Sequence, residues 1–456
     1  MADLKIELDH DIIYTTGDIV SGTVNLTVDE KVDLSSIDIT FLGQSRSRNK
    51  VHSGQGYVTK LEKHILLKEV ATLFPPPDIQ VVSSSGSYTL TEGSYSYPFA
   101  FTFPGKDHNP DCKEEKKFLH SRGYTRKEPT DEVALAPTYY HRSSFDNYCR
   151  VDYSVIATVR NPSMFKFNTK ASEDMKFYPN NNDMTFSVNH IINKKVHPYH
   201  DDCSKELKYT PEGTMKVEGF FKKLFSSDGI QLPMDLAVQY MGPQLKTSLG
   251  DTQRVLRSNA KLSNFVSLSL QTPISGGALR ELAGDDNNEK GEHNSDSFKL
   301  RISSIKIKLV SRIRYFAVKH SRRTHKYTLL DKPLDNEISF TDFEPVPVND
   351  AKQSSGKGEL YKLDLDPAWW DCDIQDVGQS FITCNIKRDF ELQVALGVAS
   401  SEDISNEVYF KMMCPIVLQK RDKSESDEED IKPPGYGNPP PEYGDEKNSE
   451  PMEWGV

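Results

Sequence analysis

Apolar residues recur at every second position along most of this chain, and that rhythm limits the fold more than any other feature. A period of two places alternate side chains on opposite faces of an extended strand, so each run marks a strand with one buried face. Ile6 and Leu8 alternate with Lys5, Glu7 and Asp9. Val20, Gly22, Val24, Leu26 and Val28 share one face, with Ser21, Thr23, Asn25 and Thr27 on the other. Ile37, Ile39 and Phe41 follow and are expected to end at Gly43. Tyr95, Tyr97, Phe99, Phe101 and Phe103 form an aromatic stripe that stops at Pro104-Gly105. Val151, Tyr153, Val155 and Val159 continue the pattern, and Met184-Phe186-Val188 reads as the run that closes the first half.

The second half repeats the signature. Leu236, Val238 and Tyr240 make one run, and Val266, Leu268 and Leu270 another. Ile305, Ile307 and Leu309 oppose Lys306, Lys308 and Arg312. Ile386, Phe390, Leu392, Val394 and Leu396 precede a last set, Val408, Phe410 and Met412. No segment keeps a 3.6-residue period over a dozen residues. With 456 residues the chain exceeds one ordinary core, so the expectation is all-β, with two antiparallel sandwiches and a tail. The composition agrees: 36% of residues are hydrophobic, yet 22 Phe and 20 Tyr supply bulky groups that suit strands.

Three polar stretches, Ser45–Lys60, Gly105–Val133 and Ser275–Ser297, read as long connecting loops. Met1–His10 holds Asp3, Lys5, Glu7 and Asp9 and reads as lacking a secretory signal. No run approaches the ~18 apolar residues of a membrane span. Cys112, Cys149, Cys203, Cys372, Cys384 and Cys414 lie far apart and read as reduced cytosolic thiols. The net charge is −11. From Lys420 to Val456 there are 5 basic and 11 acidic residues, so the tail holds −6 of it and the body is nearly balanced. That distribution argues against a nucleic-acid partner.

Beyond Lys420 the chain becomes acidic (Glu425 to Asp430) and then rich in Pro and Gly, which reads as a disordered arm. It contains Pro433-Pro434-Gly435-Tyr436 and Pro440-Pro441-Glu442-Tyr443, both PPxY. A proline pair presets a polyproline II helix, so docking into an aromatic groove loses little entropy. Three residues per turn bring the tyrosine onto the face of the first proline. With 26 Pro and 20 Tyr, one such motif is expected by chance roughly 0.07 times, which two copies in one arm far exceed. Pro433, Pro434, Tyr436, Pro440, Pro441 and Tyr443 are therefore the candidate WW-binding residues, and Ser424 and Ser426, followed by acids, are candidate phosphosites.

Tyr14-x-x-Gly17-Asp-Ile-Val20-Ser-Gly22-Thr-Val24, followed by Ile37-x-Ile39-x-Phe41-x-Gly43, resembles the opening strands of an arrestin N-lobe. Gly93-x-Tyr95-x-Tyr97-Pro98-Phe99-x-Phe101-x-Phe103-Pro104 is similar to a later strand of that family. Leu135-Ala136-Pro137-Thr138-Tyr139 resembles its proline turn, with Ala136 in place of the first proline. Arg150-Val-Asp-Tyr153-Ser-Val155 resembles the next strand, and the segment from Ser380 to Val394 resembles a late C-lobe strand. Together with the tail motifs these resemble the α-arrestins, specifically the fungal arrestin-related trafficking adaptors. The resemblance implies an arrestin N-like lobe over residues 1–205, an arrestin C-like lobe over 206–420 and a tail over 421–456. It also implies a non-enzymatic cytoplasmic adaptor, recruited peripherally to the plasma membrane or endosomes, that bridges a transporter or permease to a WW-domain HECT-type ubiquitin ligase and so promotes its ubiquitination and endocytosis.

An arrestin-fold coat or scaffold subunit acting without a ligase is the alternative; a carbohydrate-active sandwich enzyme is a further one. No GxSxG, P-loop or HExxH motif is present. His197, His200, Asp201, Asp202 and Cys203 gather metal-ligand types, but Pro198 disfavours a helix presenting the histidines together, so neither metal nor cofactor is expected. Lys306, Lys308, Arg312 and Arg314 would share one strand face. That face reads either as solvated or as a contact for anionic lipid or an acidic cargo tail.

Overall fold

The computed structural model describes residues 2–54, 56–76, 87–105, 134–144, 146–163, 168–180, 234–242, 244–246, 252–272, 276–282, 299–346, 360–400 and 407–420. The strands of the first half are β1 (Ala2–Leu8), β2 (Ile13–Tyr14), β3 (Ile19–Val28), β4 (Val32–Leu34), β5 (Ser36–Ser53), β6 (Gly56–Phe74), β7 (Tyr88–Leu90), β8 (Gly93–Thr102), β9 (Tyr139–Ser144), β10 (Asn147–Arg160) and β11 (Thr169–Phe177). One sheet has the order β1-β3-β8; the other runs β2-β11-β10-β5-β6, with β9 also on β10. A small β4-β7 pair completes this half, and its pairings are antiparallel except for a short parallel β2-β11 contact.

The second half contains β12 (Asp235–Tyr240), β13 (Gln244–Lys246), β14 (Thr252–Arg257), β15 (Val266–Thr272), β16 (Lys299–Ala317), β17 (Lys319–Ser339), β18 (Glu344–Pro345), β19 (Tyr361–Asp364), β20 (Phe381–Ile382), β21 (Ile386–Ser400) and β22 (Val408–Gln419). A sheet of order β12-β15-β19-β18 packs on one of order β13-β14-β22-β21-β16-β17, with β20 on β21. Two short helices, α1 (Gly276–Leu282) and α2 (Pro367–Trp370), are the α-helices among the described residues. Asp366 caps α2 by accepting from the Ala368 amide at 2.9 Å, and α2 buries Trp370, whose Nε1 donates to the Leu365 carbonyl at 3.1 Å. The chain is thus an all-β protein of antiparallel sandwiches, as the alternation predicts.

Alternation is carried into burial as expected: β3 buries Val20, Val24, Leu26 and Val28 and leaves Ser21 and Thr23 half-buried. Phe103 is the aromatic centre of the first core, stacked on Phe177 at 4.4 Å and set edge-on to Phe41 at 4.8 Å and Tyr153 at 5.5 Å. The Tyr153 hydroxyl donates to the Ala136 carbonyl at 2.6 Å, and Thr138 bonds to Phe177 through both its amide and its hydroxyl, which pins the proline turn to this core.

Three expectations are corrected. Gly43 does not end its strand; β5 runs through it to Ser53, because Tyr153 lies directly opposite and a Cβ at Gly43 would enter its ring. Ser45–Lys60 is not a loop. It forms the paired ends of β5 and β6, and Ser45, Ser47 and Asn49 find partners in the second sandwich instead of in water. Of Ser275–Ser297, expected as a loop, residues 276–282 form α1. Residues 275 and 283–297, Gly105–Val133 beyond Gly105, Met184-Phe186-Val188, the His197–Cys203 cluster, the expected 205/206 boundary and 421–456 lie outside the described residues. Cys149, Cys372, Cys384 and Cys414 are buried and form no disulfide among the described residues.

Candidate functional site: the seam between the two sandwiches

Three long strands each serve both sandwiches. One face of β5 presents Ile37, Ile39 and Phe41 to the first core and then, in the same alternation, Ser45, Ser47 and Asn49 to the second sandwich. β16 reverses the arrangement: Leu300 to Leu309 fill the second core, while Ile313 and Tyr315 join the first. In β21, Phe390 to Val398 belong to the second core and Ile386 to the first. At about 3.3 Å per residue, the 19 residues of β16 extend about 60 Å, longer than one sandwich needs. The surplus length makes the seam.

The seam is polar and dry. The Ser45 hydroxyl donates to Asn385 Oδ1 at 2.6 Å, and Asn385 Nδ2 donates to the Ser47 hydroxyl at 2.8 Å. Ser47 in turn donates to the Phe316 carbonyl. Asn49 Nδ2 donates to the Lys319 carbonyl at 2.7 Å and accepts from the Ser321 hydroxyl at 2.8 Å. Ser45, Ser47 and Asn385 are all 0% exposed, so these bonds replace water entirely.

Arg388 forms the second part of the seam. It is buried, donates through Nε to the Ser311 hydroxyl at 3.2 Å and through a terminal nitrogen to the Val377 carbonyl. Its guanidinium lies 5.0 Å from the centre of the Tyr139 ring and 4.8 Å from that of Phe390, one ring from each half of the chain. Phe381 meets Tyr139 edge-on at 5.1 Å. Burial pushes the Tyr139 phenol and the Cys149 thiol well up, so both stay protonated, though Arg388 pulls each the other way. Beside them His141 of β9 and His325 of β17 meet edge-on at 5.0 Å.

The basic residues expected on β16 are brought together. Lys306, Lys308, Arg312 and Arg314 share the outward face, in register with Arg322 and Lys326 of β17 and with Lys387, Asp389 and Glu391 of β21. Carboxylates answer three of the four: Lys306 pairs with Asp331, Arg312 with Glu391 and Arg314 with Asp389. Val310 interrupts the row and is buried. Burial raises the Glu391 carboxyl against the pull of Arg312. It also brings the Lys387 ammonium down to about 8, opposed by Asp389 at 3.9 Å. Across β17, β16 and β21 these rows hold seven cations, Lys387 among them, and three carboxylates, so positive charge remains.

Pro433, Pro434, Tyr436, Pro440, Pro441, Tyr443, Ser424 and Ser426 lie outside the described residues. The seam residues Ser45, Ser47, Asn49, Asn385, Arg388, His141 and His325 escaped sequence reasoning. Their one local signal is a polar residue at an in-facing position of an alternating strand.

No helix among the described residues is long and apolar enough to cross a membrane. Residues 4–115 match the arrestin (or S-antigen) N-terminal domain. Over 413 residues, 84% of this chain and 86% of the relative, the chain is 20% identical to arrestin-related trafficking adapter 10 of Lachancea thermotolerans. An arrestin domain at the start, a likeness to an arrestin-related trafficking adapter that continues through the second sandwich and strands that cross between the two halves agree with one another: the chain carries an arrestin N-terminal domain and is similar to the arrestin-related trafficking adapters along most of its length.

Proposed function

We propose that this chain is a trafficking adaptor that recruits a WW-domain HECT-type ubiquitin ligase to plasma-membrane transporters or permeases, leading to their ubiquitination and endocytosis. The paired PPxY motifs at Pro433 to Tyr436 and Pro440 to Tyr443 carry this reading. The motifs start seven residues apart, a separation of about 22 Å for a chain bound in the polyproline II form that WW grooves take, at which tandem WW domains gain avidity through effective concentration. Resemblance to a trafficking adapter along most of the chain supports the cargo-bridging half. On this reading the sandwiches perform no catalysis; they present the cargo while the tail presents the ligase. Lys308, with Arg322 and Lys326 beside the paired Lys306, Arg312 and Arg314, supplies a face for acidic cargo segments or anionic headgroups, and the protein works at the cytoplasmic face of the plasma membrane or of endosomes.

Titrating a peptide of residues Lys432–Lys447 against a ligase's WW domains tests the reading. Tyr436→Ala and Tyr443→Ala together are expected to abolish binding, and each alone to weaken it. Undiminished affinity in the double variant overturns the ligase half of the proposal.

A further inference from the structure

The His141 and His325 rings face each other across the seam, and neither Nε2 has a hydrogen-bond partner although both are buried. Their neighbours come from every element packed on them. From β9 comes Tyr139; from β10 Cys149, in register with His141; from β5 Ser47, in register with Cys149. From β17 come Arg323 and Tyr327, from β16 Ser311, in register with His325, and from β21 Arg388. Besides the facing ring itself, each charged group among the described residues that acts on the two rings is a cation: Arg323 and Arg388. Among the described residues, no carboxylate acts on either ring to compensate a new positive charge.

We propose that His141 and His325 form an acid-sensitive latch between the two sandwiches. Neutral, the rings pack edge to face and close the seam beside Arg388. Protonated, they place like charges next to the buried Arg388 and to Arg323 while both Nε2 atoms lie out of reach of water, and the seam opens locally. Such a latch lets a fall in pH change how the two halves are held together while each keeps its own core.

The direction follows from the titration. Burial, then His325, Arg323 and Arg388, bring His141 down from 6.5 to about 4, and burial with Arg388 and Arg323 lowers His325 as well. In the open seam each ring regains an ordinary value. The contribution of His141 to closure is therefore complete above pH 6.5, shrinks as pH falls and is lost fully once pH passes about 4. At about pH 5, the ratio of open to closed rises by up to about 30-fold from His141 alone.

Amide hydrogen exchange on the full chain at about pH 7.5 and about pH 5, each corrected for intrinsic rates, tests the latch. Protection in Tyr139–Ser144 and in residues 321–327 is expected to fall at the lower pH by up to about 30-fold, with Ile19–Val28 unchanged. His141→Phe with His325→Phe keeps two rings but removes the protons, and its protection at the seam is expected to be independent of pH. The wild-type comparison stands even if that variant fails to fold, and Arg388→Met, which removes the buried one of the two cations, is then expected to blunt the acid response. Equal wild-type protection at both pH values overturns the proposal. So does an acid response that is as large in Ile19–Val28 as at the seam, or one that survives in the double phenylalanine variant.

Discussion

Asn385→Ala removes the centre of the seam's hydrogen-bond chain, and the structure sets the size of the effect. In the native protein Asn385 accepts from Ser45 at 2.6 Å and donates to Ser47 at 2.8 Å, with all three residues 0% exposed. Alanine leaves the Ser45 hydroxyl without its acceptor. Ser47 keeps the Phe316 carbonyl but loses its incoming donor. The Thr383 hydroxyl, which also donates to Asn385 Oδ1, keeps the Ile386 carbonyl. A buried polar group left unmade costs about 1–3 kcal/mol, and one group is fully and two are partly stranded, so the expected loss is about 2–4 kcal/mol. The measurement is the shift in urea midpoint at constant slope. The companion variant decides the cause. Ser45→Ala combined with Asn385→Ala removes donor and acceptor together, so the pair is expected to cost less than the sum of the singles by about 1–2 kcal/mol. Asn385→Ala within about 0.5 kcal/mol of wild type, or strictly additive singles, would refute the view that these bonds replace water and hold the two sandwiches in register.

Phe103→Ala, which empties the centre of the Phe41, Tyr153 and Phe177 cluster, is expected to destabilise the protein by about 3–5 kcal/mol in the same urea assay. Lys308→Glu with Arg322→Glu and Lys326→Glu is expected to reduce pelleting with anionic vesicles or capture of an acidic cargo peptide, and raised salt is expected to mimic it, while WW binding stays intact; equal pelleting by wild type and variant shows that the face is only solvated. Because a tethered ligase meets the adaptor's own lysines at high effective concentration, the chain is expected to carry ubiquitin ladders that disappear in the Tyr436→Ala, Tyr443→Ala variant on a denaturing gel.

What the sequence alone determined was local. Strand type follows from alternation because the pleat forces successive side chains to opposite faces, so β3, β8 and β10 were legible from Val20 to Val28, Tyr95 to Phe101 and Val151 to Val159. The PPxY pair was legible for the same reason, since a polyproline ligand needs only neighbouring residues to take its shape. Tertiary structure decided what each face meets. Ser45, Ser47 and Asn49 looked like loop residues because polarity normally means water, and only Asn385 and Ser321, some 270 to 340 positions away, turn them into a buried seam. Gly43 looked like a stop until Tyr153 filled the space above it. The charge row on β16 was visible, but Asp389 and Glu391, brought alongside by strand pairing 75 to 79 positions later, decide how much of that charge is left. Arg388, His141 and His325 belong wholly to this second class: a cation or an imidazole on a strand is ordinary, and its meaning comes from the groups that the crossing strands place against it.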